Sequence, residues 1–297
     1  MTTRPEPARL AVVIVNYQAY SELSSCLASL DRIGEPVSVV VIDHASDAGA
    51  ADALGRAFPH VRLVRMADNH GFASGINHGV RMTDAPLLML LNPDCVLELN
   101  AWGRVADWME RHPDVGVVGP RIRNADGSVQ QSARRFPDVT TAIAGRSSWL
   151  TRVAPGNALS RRNLPLQAAT TPSTFSEVDW VSGACMLVRR TAFEAVGGMD
   201  GGFFLYWEDA DFCRRLRDAG FRTVYFPDAA ATHVGGRSSR HAADASLEAF
   251  HDSAYRLYRK HAGPIGRMLA PLVFLCLRAR LAVMKRIVRR RAEQHAH

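Results

Sequence analysis

The sequence lacks the features that mark secreted, zinc-binding or membrane-spanning proteins. Its five cysteines are scattered and odd in number, and no pair has zinc-site spacing, so a reduced cytosolic compartment is the simplest interpretation. No signal-peptide pattern is expected, because the first apolar run, residues 10–15, is short and passes directly into Asn16-Tyr17. The run of about twenty apolar residues that a membrane-spanning helix needs is also missing. These absences favour a cytoplasmic protein.

Basic residues are scarce over most of the chain, although the net charge is +7. Residues 256–291 contain eleven Arg or Lys and no Asp or Glu. Outside that segment the chain has 25 basic and 29 acidic residues, a net charge of −4. A nucleic-acid-binding domain would present a basic face on the fold itself. The sequence therefore predicts no nucleic-acid partner.

Short apolar runs alternate with helical patterns along the first two thirds of the chain. The most continuous run, Leu87–Leu91, is typical of a strand buried on both faces of a parallel sheet. The alternation predicts an α/β fold with a mainly parallel sheet and helices on both faces. The predicted strands are 10–15, 37–42, 61–64, 87–91, 115–118, 128–134, 178–189 and 223–226. Residues 137–176 are predicted to form a long, partly mobile segment near the site.

Polar residues follow several of these strands. Asn16, Asp43 and Asn69 stand where the first three strands end, and Asn92-Pro93-Asp94 follows the buried run. Right-handed crossovers bring such strand ends to one edge of the sheet, where open α/β folds bind ligands. The Asp94 carboxylate suits Mg²⁺ or Mn²⁺, and His233, predicted in the loop after the last strand, is a possible second ligand.

Three acids form a cluster beside aromatic residues. Glu208, Asp209 and Asp211 follow Trp207 and begin a helical pattern that stops at Gly220. Apolar surroundings can raise the pKa of one such carboxylate, as a general base for a hydroxyl group requires. The same acids would also stabilise a helix N-terminus without any catalytic role.

The other features have structural explanations as well. Asn92-Pro93-Asp94 would suit a simple turn, Asp43 a helix cap, and His233 a satisfied core or surface histidine. Gly71 and Gly75 give only a weak turn signal, because the GxGxxG spacing is absent. The aromatic residues near the acids would pack in the core at least in part: Trp180, Phe203 and Trp207.

The order of these motifs is more specific than any one of them. Over residues 10–260 the chain resembles the inverting glycosyltransferases of family 2, which have the GT-A (Rossmann-like) fold, and most of all their rhamnosyltransferase-like branch. The residues that carry the resemblance are Val15-Asn16-Tyr17, Asp43-His-Ala-Ser46, Asn69-His-Gly71-Phe-Ala-Ser-Gly75-Ile-Asn77, Asn92-Pro93-Asp94, Ser182-Gly183-Ala184, Trp207-Glu208-Asp209-Ala-Asp211 and His233.

The resemblance implies a nucleotide-sugar donor and assigns residues to it. Asn16, Asp43 and Asn69 would border the base and ribose, and Gly183 would line the donor sugar. Further donor-site positions are Gly71, Gly75, Asn77 and Asn92. In this resemblance Asn92 and Asp94 fill the family's Asp-x-Asp position, with an amide in place of the first acid.

The resemblance also implies the catalytic and metal residues. Asp94 would bridge a Mg²⁺ or Mn²⁺ ion to the diphosphate, and His233 would complete the metal shell. Asp209 matches the catalytic base, with Glu208 beside it. Trp180 and Trp207 are assigned to the acceptor side.

The expected function is transfer of L-rhamnose from dTDP-rhamnose to a glycan or polyprenyl-diphosphate-linked acceptor in cell-surface polysaccharide assembly. A UDP-sugar donor is an open alternative, since no residue separates thymine from uracil. A nucleotidyltransferase would need a Gly-rich phosphate loop where the chain has Asn16-Tyr17-Gln18. A non-enzymatic, membrane-bound scaffold is the remaining class, and the presence of Asp94, Asp209 and His233 disfavours it.

Two domains are expected. Residues 1–262 would form the GT-A domain, with a nucleotide-binding half at about 10–120 and an acceptor and catalytic half at about 121–262. Residues 263–297 would form a basic helical tail that places the protein on the inner face of the plasma membrane, with residues 264–291 on anionic lipid. One helical face of the tail is apolar, at Phe274, Leu277, Leu281, Met284 and Val288. The alternative is that this face packs on the fold.

Overall fold

The structure is a computed structural model that describes residues 8–34, 36–98, 101–136, 175–234 and 243–294. The long segment predicted at 137–176 falls almost entirely outside these residues. The strands are β1 (Leu10–Tyr17), β2 (Val37–His44), β3 (Arg62–Met66), β4 (Leu87–Leu91), β5 (Cys95–Leu97), β6 (Val115–Arg123), β7 (Ala133–Arg134), β8 (Ser176–Val178), β9 (Trp180–Val181), β10 (Cys185–Arg189) and β11 (Arg222–His233). The helices are α1 (Tyr20–Leu30), α2 (Ala48–Ala57), α3 (Phe72–Val80), α4 (Trp102–Arg111), α5 (Arg190–Ala195), α6 (Glu208–Asp218), α7 (Ala243–His261), α8 (Pro264–Met268) and α9 (Ala270–Gln294).

The described strands form a large mixed sheet in the order β3-β2-β1-β4-β10-β6-β11-β5, with β8 also paired to β11. The pairs β2–β3, β1–β2, β1–β4 and β6–β11 are parallel, whereas β10 runs antiparallel to both of its neighbours. The predicted α/β fold with a mainly parallel sheet is therefore confirmed.

Strand β4 explains why its sequence is apolar without alternation. All five of its residues are buried, and successive side chains enter opposite core layers. Leu87, Met89 and Leu91 pack in the layer that contains α1 and α4, whereas Leu88 and Leu90 pack in the layer that contains α3 and α6. Helices thus cover both faces, as predicted, and the carboxyl end of β4 is left at the sheet edge.

Strand β11 is longer than its sequence pattern predicted. The expected strand covered 223–226, but β11 continues to His233 after an irregularity between Phe226 and Ala230. Its first part pairs with β8 and its last part with β5. Pro227 interrupts the apolar pattern and concealed this continuation. His233 therefore ends a strand, which is a correction to its predicted position in a loop.

The carboxyl-terminal helices pack on each other as a hairpin. Asp252 on α7 pairs with Arg278 on α9 at 3.2 Å, and the rings of Tyr255 and Phe274 are 5.1 Å apart. Leu281, in the middle of α9, is only 6% exposed. The apolar face recognised in the sequence is thus the face that packs on α7, as the open alternative proposed. Among the described helices, none is both long and apolar enough to cross a membrane.

Candidate active site

Asp94 and His233 meet at the carboxyl end of β4. Asp94 lies in the turn between β4 and β5, and β5 pairs with β11 so that His233 lies opposite Cys95. His233 Nε2 is 3.1 Å from Asp94 Oδ1, and the two side chains are 19% and 18% exposed. The structure therefore brings together two predicted ligands that lie far apart in the sequence.

Gln130 sets the orientation of the His233 ring, and no sequence motif pointed to it. Gln130 Nε2 donates to the His233 carbonyl at 3.0 Å, and Gln130 Oε1 lies 3.1 Å from His233 Nδ1. Since the first bond identifies the NH₂ end of the amide, Oε1 accepts a hydrogen bond from Nδ1–H. Nε2 therefore faces Asp94, as a ligand nitrogen held by an outer partner would.

The side chains of Asp94 and His233 are named the metal corner, and their ligand atoms fit a hard divalent cation. Neighbouring ligands on an octahedral ion, each about 2.1 Å from it, are about 3 Å apart, and the observed separation of Asp94 Oδ1 and His233 Nε2 is 3.1 Å. The ligand atoms of Asp94, Cys95 and His233 all lie within 4.8 Å of one another. Burial raises the pKa of Cys95 well above its ordinary value, so this residue stays a thiol beneath the corner.

Gly183 and Ala184 connect the turn beside the metal corner to the predicted base, Asp209. The Ala184 carbonyl accepts the backbone N–H of Asn92 at 2.9 Å and the thiol of Cys95 at 3.1 Å. The Gly183 N–H donates to Asp209 Oδ2 at 2.9 Å. The turn between β9 and β10 therefore contacts both the Asp209 carboxylate and the turn that contains Asp94.

Asp209 and Glu208 have different surroundings, although they are adjacent. Asp209 accepts hydrogen bonds from the N–H groups of Gly183 and Ala210, at 2.9 and 2.8 Å, and burial raises its pKa in spite of them. Glu208 is 6% exposed, and its Oε2 has no hydrogen-bond partner among the described residues. Burial, and then the charge of Asp209, raise the pKa of Glu208 to about 8. Asp209 is therefore the acid of the pair that accepts backbone hydrogen bonds, whereas Glu208 is the acid whose proton is held most tightly by burial.

Asp211 belongs to a structural ion cluster rather than to the open site. Its carboxylate is 0% exposed and binds Arg215 at 2.8 Å on the same helix, and Lys260 and His261 at 2.8 Å on α7. Burial alone would raise its pKa, but the bonds from His261, Lys260 and Arg215 lower it below the ordinary value. The acidic cluster seen in the sequence thus divides into one pair at the site and one acid that anchors α7.

The predicted nucleoside residues line the ends of β1 and β2, but two of them are fully buried. Asn16 and Asp43 are both 0% exposed, and Asn16 Nδ2 donates to Asp43 Oδ1 at 2.7 Å. The Tyr20 hydroxyl donates to the other carboxylate oxygen at 2.9 Å. His44 Nδ1 lies 3.1 Å from Asn69 Oδ1, and burial lowers the pKa of His44. This buried network joins the ends of the two strands, while Tyr17 beside it is 39% exposed.

In the Asn69–Asn77 motif, Gly71 and Gly75 allow close packing, and the Asn77 side chain binds a neighbouring segment. Gly71 has φ +81°, and a Cβ there would collide with the backbone of Phe204, whose carbonyl accepts the Phe72 N–H at 3.0 Å. At Gly75 a Cβ would lie 2.7 Å from Val15. Asn77 exchanges two hydrogen bonds with the Met199 backbone, at 2.7 and 2.9 Å. Helix α3 is thereby fastened to the segment that precedes the base.

The two predicted acceptor tryptophans lie side by side near Asp209. Their ring centres are 6.1 Å apart. Trp180 is 7% exposed and donates to the Arg135 carbonyl at 3.0 Å, whereas Trp207 is half-buried, and its Nε1 has no partner among the described residues. The Arg134 guanidinium lies 5.2 Å from the Trp180 ring centre and lowers the pKa of Asp209 through its charge, against the larger effect of burial. Sequence patterns did not single out Arg134.

Backbone strain is concentrated around this site. The described residues include four non-glycine residues with positive φ: Gln18 at 53°, Ala45 at 48°, Tyr206 at 69° and Trp207 at 68°. Gln18 and Ala45 follow β1 and β2, and the other two immediately precede Glu208. Such conformations cost about 1–3 kcal/mol each and concentrate at functional sites.

Comparison with known proteins identifies the family of this fold and site. Residues 7–249 match the family described as glycosyltransferase like family 2. The chain belongs to this glycosyltransferase family. The glycosyltransferase is 34% identical over 275 residues to the N-acetylglucosaminyl-diphospho-decaprenol L-rhamnosyltransferase of Mycobacterium tuberculosis. The aligned residues cover 86% of this chain and 85% of that protein. It is 28% identical over 161 residues to rhamnosyltransferase WbbL of Escherichia coli, covering 54% of this chain and 56% of that one.

Solved structures agree on the fold of the glycosyltransferase. GalNAc-T7 with UDP, GalNAc and Mn²⁺ has a TM-score of 0.58 at 14% identity, covering 77% of this chain and 44% of that one. Mannosyltransferase PcManGT from Pyrobaculum calidifontis, with GDP-Man and Mn²⁺, has a TM-score of 0.55 at 18% identity, covering 93% of this chain and 70% of that one. The predicted GT-A fold and the resemblance to the rhamnosyltransferase-like branch are confirmed.

Proposed function

We propose that this glycosyltransferase transfers L-rhamnose, with inversion, from dTDP-rhamnose to an N-acetylglucosaminyl-diphospho-polyprenol acceptor in cell-surface polysaccharide assembly. The donor sugar and the acceptor rest on the relative from Mycobacterium tuberculosis, whose name states both the transferred sugar and the lipid-linked acceptor. The observation that carries the chemistry is the connection of Asp209 to the Asp94 corner through Gly183 and Ala184. A base and a diphosphate-binding corner in one site are what a single displacement needs.

In the proposed reaction Asp209 is the general base. The acceptor hydroxyl oxygen attacks C1 of the donor sugar as its proton passes to the Asp209 carboxylate, and the bond from C1 to the diphosphate oxygen breaks. One displacement inverts the configuration at C1 and releases dTDP. Burial makes Asp209 a stronger base than an exposed aspartate, since it raises the pKa of this carboxyl group.

Asp94 and His233 would hold a Mg²⁺ or Mn²⁺ ion, with Asn92 beside them. Asn92 Nδ2 lies 3.5 Å from His233 Nε2, so the amide stands at the edge of this corner. A divalent cation here would supply positive charge for the leaving diphosphate. Gln130 would keep the His233 ring turned toward the ion.

The predicted donor and acceptor sites follow the same geometry. The buried Asn16–Asp43 pair would shape the base and ribose pocket at the ends of β1 and β2, with Asn69 beside it. Gly183 would line the donor sugar next to Asp209. Trp207, whose indole N–H has no partner among the described residues, would bind the acceptor together with Trp180.

We also propose that the outer face of α8 and α9 rests on anionic lipid at the cytoplasmic side of the plasma membrane. On α9 this face is opposite the one packed on α7 and exposes Leu272 at 59%, Leu275 at 63% and Val283 at 54%. Met268, at the end of α8, is 82% exposed. Exposed Arg residues interrupt this outer face at 267, 286 and 290. An apolar face that is interrupted by exposed arginines suits the interface of an anionic membrane.

A panel of sugar nucleotides tests the enzyme proposal. The full chain is incubated with the lipid-linked acceptor and dTDP-rhamnose, UDP-N-acetylglucosamine, UDP-galactose or UDP-galactofuranose, with and without Mg²⁺ or Mn²⁺. Released nucleotide and the anomeric configuration of the product are measured. We expect turnover with dTDP-rhamnose and an inverted product. A UDP-sugar as sole substrate would replace the donor, and a retained configuration would remove the mechanism.

Flotation on vesicles tests the membrane proposal with two single substitutions of matched character. Leu275→Asp places a charge on the exposed face of α9, and Val129→Asp places one at another exposed apolar residue, 46% accessible, outside the hairpin. We expect Leu275→Asp to weaken flotation with phosphatidylglycerol vesicles and Val129→Asp to leave it unchanged. Equal flotation of the two variants would refute this docking face.

A further inference from the structure

The ten residues from Asp200 to Asp209 are named the catalytic loop, because they lead into α6 and end at the base. The loop includes the two adjacent residues with left-handed backbone, Tyr206 and Trp207. Neither is glycine, so the conformation costs free energy and needs support from the surrounding structure. That support comes from helix α7.

One face of α7 contacts the middle of the catalytic loop. The Phe250 ring lies 5.3 Å from the Trp207 ring and 5.8 Å from the Tyr206 ring. Ser253 Oγ donates to the Leu205 carbonyl at 2.9 Å, and Ser253 is only 5% exposed. Both contacts fall on the strained residues or on the residue directly before them.

The same face of α7 holds both sides of the catalytic loop. At the beginning of the loop, Asp200 binds Lys260 at 2.7 Å and Arg256 at 3.0 Å. Beyond its end, buried Asp211 binds Lys260 and His261, each at 2.8 Å. Burial alone would raise the pKa of Asp200, but Lys260, the Gly202 N–H and Arg256 lower it to about 2. Lys260 thus bridges the two sides of the loop.

Helix α7 has a second face that is used differently. Glu248 pairs with Lys285, Asp252 pairs with Arg278, and Tyr255 packs on Phe274, so these contacts join α7 to α9. Residues 248, 252 and 255 share one helical face, whereas 250, 253, 257, 260 and 261 share another, and Arg256 lies at the boundary between the two. The face toward the loop is named the loop face, and the face toward α9 the hairpin face.

We infer that the loop face of α7 positions the catalytic base: Phe250 and Ser253 hold Leu205, Tyr206 and Trp207 in the conformation that directs Asp209 to the Gly183 N–H. The inference rests on the proposed function, in which Asp209 is the base. Phe250 and Ser253 are positioning residues, because they act through the loop. Loss of either contact relaxes the strained backbone and moves the carboxylate away from the reacting hydroxyl.

Phe250→Ala and Tyr255→Ala test this in the full chain. Both remove a half-buried aromatic ring from α7 that contacts α9: Tyr255 packs on Phe274, and Phe250 lies beside Arg280 but also contacts the catalytic loop. With a short-chain, water-soluble acceptor, we expect Phe250→Ala to lower kcat about 10- to 100-fold, as a displacement of about 1 Å can. The donor KM and dTDP affinity by calorimetry should stay unchanged, Phe250→Tyr should restore kcat, and Tyr255→Ala should retain wild-type kcat.

A kcat for Phe250→Ala equal to that of Tyr255→Ala would overturn the inference, as would a donor KM that rises in parallel. If Phe250→Ala does not fold, Ser253→Ala decides, since it removes only the hydrogen bond to Leu205: a lowered kcat supports positioning and an unchanged kcat refutes it. Asp209→Asn separates this inference from the proposed function. Undiminished turnover in Asp209→Asn would reject the base, whereas an inactive Asp209→Asn with a fully active Phe250→Ala rejects only the positioning role.

Discussion

The sheet edge and the catalytic loop hold their polar groups in different ways. At the sheet edge, Asn16, Asp43 and Asp94 stand at or just after the ends of adjacent parallel strands, so the register of the sheet places them. In the catalytic loop, Tyr206 and Trp207 have strained backbone that is supported by Phe250 on α7, more than forty residues further along the chain. The strand ends thus place the polar groups of the sheet edge, whereas the loop that leads to Asp209 is contacted by a helix distant in the sequence.

The two regions also differ in how they use acids. Asp209 and Asp211 lie in the same helical turn, but Asp209 is held by backbone N–H groups and Asp211 by the side chains of Arg215, Lys260 and His261. A carboxylate bound only by N–H groups can still accept a proton from a substrate. Burial would raise the pKa of Asp211, but its bonds to His261, Lys260 and Arg215 lower it, and they tie α6 to α7. Asp209 is therefore the acid proposed as the base, whereas Asp211 stabilises the fold.

The largest expected effect is that of Asp209→Asn on turnover. Removing a general base should lower kcat about 10²- to 10⁴-fold, while donor binding stays intact because the amide keeps the shape of the side chain. Initial rates and calorimetry with dTDP measure the two quantities. Asp218→Asn, an exposed acid at the other end of α6, is the control that should remain active. Wild-type rates in Asp209→Asn would mean that another residue is the base.

Asp211→Asn should reduce stability rather than chemistry. Neutralising this buried carboxylate leaves Lys260, His261 and Arg215 without their anion, and breaking such a cluster should lower the free energy of unfolding by about 3 kcal/mol. Urea denaturation measures the loss, and Asp200→Asn, with a side chain 20% exposed, should lose about 1 kcal/mol.

The pH dependence of that loss has a defined sign. The pKa of Asp211 is lowered below its ordinary 3.8, so its stabilisation is present above that pH and is lost as pH falls through the folded-state pKa. The wild type and Asp211→Asn should therefore converge in acid. A difference that grows in acid would contradict the ion cluster.

Gln130→Ala should weaken the metal corner at the sheet edge. Without Gln130 the His233 ring loses the acceptor that turns Nε2 toward Asp94, and losses of this kind cost about 10- to 100-fold in metal affinity. Mn²⁺ binding followed by electron paramagnetic resonance measures the change. Gln131→Ala, one residue along, should bind Mn²⁺ as the wild type does. Equal Mn²⁺ affinity in both variants would mean that Gln130 has no such role.

The smallest expected effect concerns Glu208→Gln and the pH dependence of stability. The folded-state pKa of Glu208 is raised from 4.5 to about 8, so the folded state holds its proton more tightly and loses stability as pH rises between those values. Glu208→Gln should remove this loss and melt above the wild type at about pH 8, with a smaller difference at about pH 5. Glu194→Gln, an exposed acid, should show no such trend. Parallel melting curves for wild type and Glu208→Gln at all pH values would contradict the buried neutral acid.

Much of the fold followed from local patterns, because a strand buried on both faces is a continuous apolar run. Leu87–Leu91 was located from its composition alone, and its parallel neighbours followed from the alternation with helices. Strand β11 was predicted too short, since Pro227 interrupts its pattern and the partner strand β5 has only three residues. Local patterns carry no information about a strand that changes partners half-way.

The sequence by itself determined the α/β architecture, the family and the residues at the sheet edge, because strand ends and their polar residues are encoded within a few positions. Only the tertiary structure decided that Gln130 orients His233, that Asp211 serves stability, and that the apolar face of α9 packs on α7. These outcomes depend on contacts between residues far apart in the chain, and the spacing of apolar and charged residues is the same whichever partner they meet. The catalytic loop shows this most clearly, since its motif names the acids but the folded chain sets their charge and position.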